Sequence, residues 1–195
     1  DDLWLKGSFA DFMGALGAIE ANGFNDAWVT FANHRKSWAY LQDQLPTTHP
    51  IVADIPHLEA AAQNFDGITY AKGASTLKQL VSYVGFDTFI EAARVYFKRF
   101  AWGNTSLQDF LDVLNEVSGR DMQTWSQAWL QTSGLSTLGT RRVYREDGKL
   151  QDLYLTQQLP DTQPAGIGRP HVVKLETFIL QEEKLVSTGT LSLEY

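Results

Sequence analysis

Cysteine is absent from this 195-residue chain, so neither a disulfide framework nor a thiolate metal site can be built from it. The same absence is compatible with a reducing compartment, and a cytoplasmic location is expected. Basic residues are in the minority: 16 Lys and Arg stand against 23 Asp and Glu, a formal charge of −7. That balance argues against a phosphate-binding surface, so no nucleic-acid partner is expected. No apolar run approaches the ~20 residues of a membrane-spanning helix, and no basic segment followed by an apolar stretch marks a secretory signal. No membrane partner is expected either. The four histidines, His34, His49, His57 and His171, form no H-E-x-x-H and no pair at i, i+4. His57 and Glu59 stand two apart and would diverge on a helix. No serine sits in a G-x-S-x-G elbow. Gly166-Ile167-Gly168 lies in a loop before strands rather than at a helix N-terminus, so it is not a phosphate loop.

What is present is apolar and aromatic. Hydrophobic residues make up 44% and aromatic residues 12%, with six Trp, enough for a substantial core in one sizeable domain or two small ones. Up to about residue 139 the periodicity is helical. Phe9, Phe12, Met13, Leu16 and Ile19 recur at helical steps. Asn25 can cap a second helix carrying Trp28, Phe31 and Trp38, which ends before Leu45-Pro46. Pro46 to Pro50, with two prolines, is a loop or extended segment. Tyr70, Ala74, Leu77, Val81 and Val84 outline another helix, stopped by Gly85, and Asp87 opens the next, with Ile90, Ala93, Phe97 and Phe100. Ser106 and Asp109 form a capping box ahead of Leu107, Phe110, Leu111 and Leu114. Gly119 ends that helix, and Asp121 begins a short one with Trp125, Trp129 and Leu130. Roughly six helices result.

From Arg142 onward the period is two. Asp147-Gly148 is a hairpin turn between Arg142–Glu146 and Leu150–Thr156. Val173, Leu175, Thr177 and Ile179 alternate with polar residues, as do Leu191, Leu193 and Tyr195, and a Pro- and Gly-rich loop over 160–170 joins the pairs. About four antiparallel strands are expected. Arg141-Arg142 and Glu182-Glu183-Lys184 read as solvated turns. The expected fold class is therefore α+β: a multi-helix bundle over residues 1–138, then a small antiparallel sheet or partial β-sandwich over 139–195. A chain that opens Asp-Asp-Leu-Trp-Leu and stops in mid-strand reads as an excised piece.

Two segments carry chemistry. Asp2-Leu3-Trp4-Leu5-Lys6-Gly7-Ser8-Phe9-Ala10 resembles the D-L-W-L-N-E-S/G-F-A stretch of the aminopeptidase N family, zinc metallopeptidases of the gluzincin type. Tyr70-Ala71-Lys72-Gly73-Ala74 resembles that family's Y-x-K-G-A segment. Trp102-Gly103-Asn104-Thr105, the ending W-x-x-x-W-L-x-T-S-G over 125–134 and the Thr48-His49-Pro50-Ile51 stretch, where the histidine looks structural, add to the likeness, which weakens after Gly139.

The resemblance implies the C-terminal part of a thermolysin-like catalytic domain, and a parent enzyme that uses zinc to release N-terminal residues from peptides. It gives Tyr70 the task of aiming its hydroxyl at the scissile carbonyl, where a pre-placed O–H stabilises the tetrahedral oxyanion. Periodicity alone explains Tyr70 as the first aromatic of a packed helix; two motifs in the family's order favour catalysis. The family's third zinc ligand, a Glu, falls at Gly7, which has no donor atom. Asp11 shares that helix face but is displaced by a turn, ~5–6 Å, against metal–oxygen bonds of ~2 Å. The family's G-x-M-E-N segment and H-E-x-x-H helix have no counterpart here. The expectation is an inactive fragment that binds no zinc by itself; the alternative is a non-catalytic helical scaffold or interaction module derived from such an enzyme. With its neighbouring helix missing, side chains of the first helix such as Trp4, Phe9 or Phe12 are expected to be uncovered and to promote self-association.

Overall fold

A computed structural model describes residues 2–163 and 168–195. Part of the 160–170 loop, including Gly166 and Ile167, lies outside the described residues. The helical part comprises α1 (Leu3–Glu20), α2 (Ala27–Thr30), α3 (Ser37–Asp43), α4 (Leu58–Gln63), α5 (Gly73–Val84), α6 (Phe86–Arg99), α7 (Leu107–Ser118) and α8 (Met122–Leu130). Two π-helical segments interrupt the regular spacing: Phe31–Lys36 joins α2 to α3, and Ile68–Lys72 runs directly into α5. The strands are β1 (Thr137–Tyr144), β2 (Leu150–Gln158), β3 (Val172–Gln181) and β4 (Lys184–Glu194). The fold is α+β, as the periodicities predict. No described helix is long and apolar enough to cross a membrane.

Helix α1 is the centre of the bundle. Its Trp4, Phe12 and Leu16 are buried with Leu77 and Leu80 of α5, Phe89 of α6, Phe110 and Leu114 of α7, and Trp125 of α8. Phe12 meets Phe89 edge to face with ring centroids 5.6 Å apart, and Phe9 meets Phe110 likewise at 5.9 Å. Such pairs add directional energy to burial worth roughly 2–3 kcal/mol per large side chain. The expected exposure of Trp4 and Phe12 is corrected here: both are buried, at 3% and 2%, because α5 to α8 wrap their face. The uncovered apolar side chains nearby are instead Met13 and Phe97.

Local chemistry accounts for most boundaries. The capping box is present: the Ser106 hydroxyl accepts from the Asp109 N–H while Asp109 accepts from the Ser106 N–H at 2.8 Å. Asp2 accepts the next orphan donor, the Leu107 N–H, at 2.7 Å, tying the start of α1 to the start of α7. Gly119 ends α7 with φ of +68°, a conformation that costs glycine nothing. Asp121 caps α8 by accepting from the Thr124 N–H at 3.0 Å. Asp26, not Asn25, precedes α2, and α6 begins at Phe86, one residue before the expected Asp87. Helix α4 has no counterpart in the sequence reading, because it is only six residues long and buries none of them; His57 caps it, its Nδ1 accepting from the Ala60 N–H at 3.2 Å.

The four strands form two separate antiparallel hairpins, β1–β2 and β3–β4. Arg141 and Arg142 lie within β1 rather than in a turn, and Arg141 stacks over Tyr154 of β2, 4.0 Å from the ring centroid. Glu182 and Glu183 do form the β3–β4 turn, both with positive φ, of 45° and 64°. That geometry matches the right-handed twist of paired strands, usually at glycine or asparagine.

One buried cation joins the helical part to the strands. Arg169 is 3% exposed. Its guanidinium donates to the carbonyls of Ala128, Gly134 and Ser133 and to the hydroxyls of Thr132 and Ser136, at 2.9–3.3 Å. Its main chain exchanges two hydrogen bonds with the Gln157 side chain. All five donors are engaged, a pattern that only the planar fork of arginine satisfies.

Two substitutions test this packing. Arg169→Lys strands buried carbonyls at about 1–3 kcal/mol each, so urea unfolding is expected to show a loss of about 2–4 kcal/mol; an unchanged midpoint would contradict the role given to Arg169. Gly73→Ala is expected to destabilise by about 1–3 kcal/mol, despite the better helix propensity of alanine. The reason is steric: a Cβ at residue 73 would lie 1.9 Å from Ser8 Oγ.

Candidate active site

Helix α1 and the Ile68–Val84 run cross at very close range. Ser8 is fully buried, and its hydroxyl donates to the carbonyl of Thr69 at 2.6 Å. Gly73 leaves the room for that hydroxyl. The same crossing places Gly7 against Tyr70: a Cβ built on Gly7 would stand 2.9 Å from Tyr70 Cε1 and 3.1 Å from Cζ. The two residues singled out by the sequence motifs, far apart in the chain, are thus in direct contact. The tyrosine ring lies over the space that a side chain at residue 7 would enter.

Tyr70 occupies the π-helical segment, where the Lys72 N–H reaches the Gly67 carbonyl at 2.9 Å, five residues back. Such insertions re-aim side chains and recur at functional sites. The ring is half-buried, packed beside Phe65 with centroids 6.0 Å apart. Among the described residues its hydroxyl makes no hydrogen bond, so the O–H is free to meet a partner from outside.

Asp66 and Gln42, which carry no motif, and His49, which the sequence marks as structural, hold this segment. Asp66 Oδ1 accepts from the N–H groups of Ile68 at 3.0 Å and Thr69 at 2.9 Å. Its Oδ2 accepts from Gln42 Nε2 and, at 2.8 Å, from His49 Nε2. Gln42 Oε1 in turn accepts from the Gly67 N–H at 2.7 Å. Burial pushes the Asp66 carboxyl upward, but the His49 and Thr69 donors outweigh it and hold it below the usual range. The hydrogen bond to Asp66 raises His49, against burial, with help from the Pro50 carbonyl. An Asp four residues before the tyrosine, at the mouth of a helical run, is a capping signal that could have been read from the sequence.

Lys72 is buried against Asp43, Nζ to Oδ2 2.7 Å, and Asp43 also accepts from the Gly134 N–H at 3.0 Å and the Thr48 hydroxyl at 2.7 Å. Desolvation lowers Lys72 despite that partner. The pair is a strut between α3, the end of the π-helical segment and the segment leading to β1.

The residues present do not fit a catalytic zinc. Gly7 supplies no donor, and the Tyr70 ring crowds its Cβ direction. Asp11, the nearest carboxylate on that face, is bonded to the Arg35 guanidinium by both Nε and Nη2. Among the described residues no three His, Cys, Asp or Glu side chains converge as a metal site would require.

The Peptidase family M1 domain profile matches residues 1–131. The chain is 48% identical over 187 residues to aminopeptidase N of Streptomyces lividans, across 92% of this chain and 22% of that protein. It is 37% identical over 134 residues to a probable aminopeptidase 2 of Sulfurisphaera tokodaii, across 69% of this chain and 17% of that protein. A crystal structure of Legionella pneumophila aminopeptidase A shares the fold with a TM-score of 0.66 at 20% identity, covering 100% of this chain and 21% of that one. The chain thus spans about a fifth of the length of these relatives. With both motif segments packed against each other inside the matched span, the chain belongs to peptidase family M1.

Proposed function

We propose that this chain is the C-terminal part of the catalytic domain of an aminopeptidase N-type zinc enzyme, residues 1–138, followed by a partial β-sandwich, 139–195. The whole enzyme would release N-terminal residues from peptides. The observation that carries the reading is the contact between Gly7 and Tyr70, where the tyrosine ring stands 2.9 Å from the place a residue 7 Cβ would take. In this reading, the contact joins the position of the family's metal-ligand Glu to the tyrosine that would act at the oxyanion.

Within that reading, this chain's contribution is Tyr70. Its hydroxyl would donate to the oxygen of the scissile carbonyl as that oxygen gains charge, an interaction worth more in the transition state than in the ground state. The rigid backbone around it supports the role, since a donor placed before reaction costs no reorganisation. Gly7 removes one metal ligand, so zinc, which the family's peptidases use, would not be held here and the chain would be inactive by itself. The helical scaffold reading shares the Gly7 observation and differs in assigning Tyr70 to packing alone.

The two readings part in one experiment. Gly7→Glu, placed in the longest polypeptide that the reading frame encodes, is expected to bring in one equivalent of zinc and hydrolysis of aminoacyl substrates. The Tyr70 ring is half-buried rather than enclosed, and the new side chain has to displace it, since a residue 7 Cβ would lie 2.9 Å from Cε1. Tyr70→Phe in that background should then lower kcat by about 100- to 1,000-fold. Zinc content and turnover that stay at the Gly7 level would leave the scaffold reading in place.

A further inference from the structure

We propose that His49 and Asp66 form a charged clasp that sets the position of Tyr70, making both of them positioning residues for the site. The functional meaning rests on Tyr70 being the oxyanion donor; the geometry does not.

Both nitrogens of His49 face acceptors. Nδ1 lies 2.7 Å from the Pro50 carbonyl and Nε2 lies 2.8 Å from Asp66 Oδ2. A neutral imidazole carries a proton on only one nitrogen, so it would leave one of these acceptors facing a lone pair; the imidazolium satisfies both. Ile51, two residues on, is 1% exposed in the core and anchors the backbone of the loop that carries His49. Asp66, so paired, presents its other oxygen to the N–H groups of Ile68 and Thr69. With Gln42 holding the Gly67 N–H, three successive donors at the start of the run are capped. The next residue is Tyr70. From the opposite side Ser8 holds the Thr69 carbonyl, so the peptide units leading into the tyrosine are gripped on both edges.

The charged groups facing this pair are few. Lys72 lies near enough to disfavour the His49 cation, and is itself engaged by Asp43. Asp43 is linked to the His49 loop through the Thr48 hydroxyl. Asp54 lines the same cavity as His49 and Asp66. Glu59 Oε2 lies 3.4 Å from His57 Nδ1 at the surface. A raised histidine contributes its stabilisation fully below its unfolded pKa, near 6.5, and loses it as pH rises through the folded value. A lowered aspartate contributes above its unfolded pKa, near 3.8, and loses it as pH falls through the folded value. The clasp is therefore closed between the two and opens on the alkaline side when His49 loses its proton.

The test follows tyrosine-ring carbons and backbone amides of the chain by NMR from about pH 5 to 9, a range that spans histidine titration. The His49 ring, the Tyr70 ring and the Ile68 and Thr69 amides are expected to titrate together, with a midpoint above the ordinary histidine value. Hydrogen exchange at those two amides should speed at least about tenfold across it after correction for intrinsic base catalysis. His49→Gln and Asp66→Asn should abolish the Tyr70 titration, while His57→Gln leaves it. A Tyr70 ring that ignores the His49 midpoint overturns the proposal, and so does a His49→Gln chain that keeps the profile. If the variants fail to fold, the wild-type titration alone decides. None of these signals depends on turnover, so an inert Gly7→Glu enzyme would sink the functional reading and leave the clasp standing.

Discussion

Ser8 donates a 2.6 Å hydrogen bond to the Thr69 carbonyl, and it can do so because residue 73 has no side chain. That single close crossing of α1 over the π-helical segment organises the rest of the helical part. It sets the depth at which α1 is buried, so that Trp4, Phe12 and Leu16 reach α5 to α8. It also fixes which residues of the two segments meet. Widening it by one methyl group would separate Gly7 from Tyr70 and draw Phe12 away from Phe89, since a close-packed interior has no slack to absorb the change.

Around this crossing, several buried polar groups hold backbone. Asp66 caps the start of the tyrosine segment, Asp43 binds Lys72 and the Gly134 N–H, and Arg169 gathers the carbonyls after α8. Each removes orphan donors or acceptors that helix ends and loops would otherwise leave buried. The outcome is a tyrosine on a well-held backbone, its hydroxyl without a hydrogen bond among the described residues, beside a glycine that offers no side chain. A backbone held in this way would suit the oxyanion role proposed for Tyr70.

The elements most legible in the sequence are those whose signal is local. Ser106 and Asp109 announce a capping box, Gly119 a left-handed stop, and Asp147-Gly148 a hairpin. The contact of Gly7 with Tyr70 is legible only through the family resemblance, because nothing in periodicity relates residues so distant in the chain. Helix α4 escapes because six residues give too short a repeat and its cap is a histidine. The burial of Trp4 and Phe12 departs from expectation because amphipathic patterning says which face is apolar, not which neighbour covers it. Arg141-Arg142 resembles a turn because charge suggests solvent, yet alternate residues of an exposed hairpin are solvated too. Asp66 and His49 carry a signal, a carboxylate ahead of a helical run, whose partner is identifiable only once the Pro50 loop is seen folded beside it.

Residue 7 and the Tyr70 ring meet at one point in space. The direct measurement is the nuclear Overhauser effect between the Gly7 α-protons and the ring protons of Tyr70 in the isotopically labelled chain. A strong cross-peak is predicted, since the ring carbons lie 2.9–3.2 Å from the place of a residue 7 Cβ. A Tyr70 ring that shows no contact with Gly7, while Ser8 still contacts Thr69, would contradict the account.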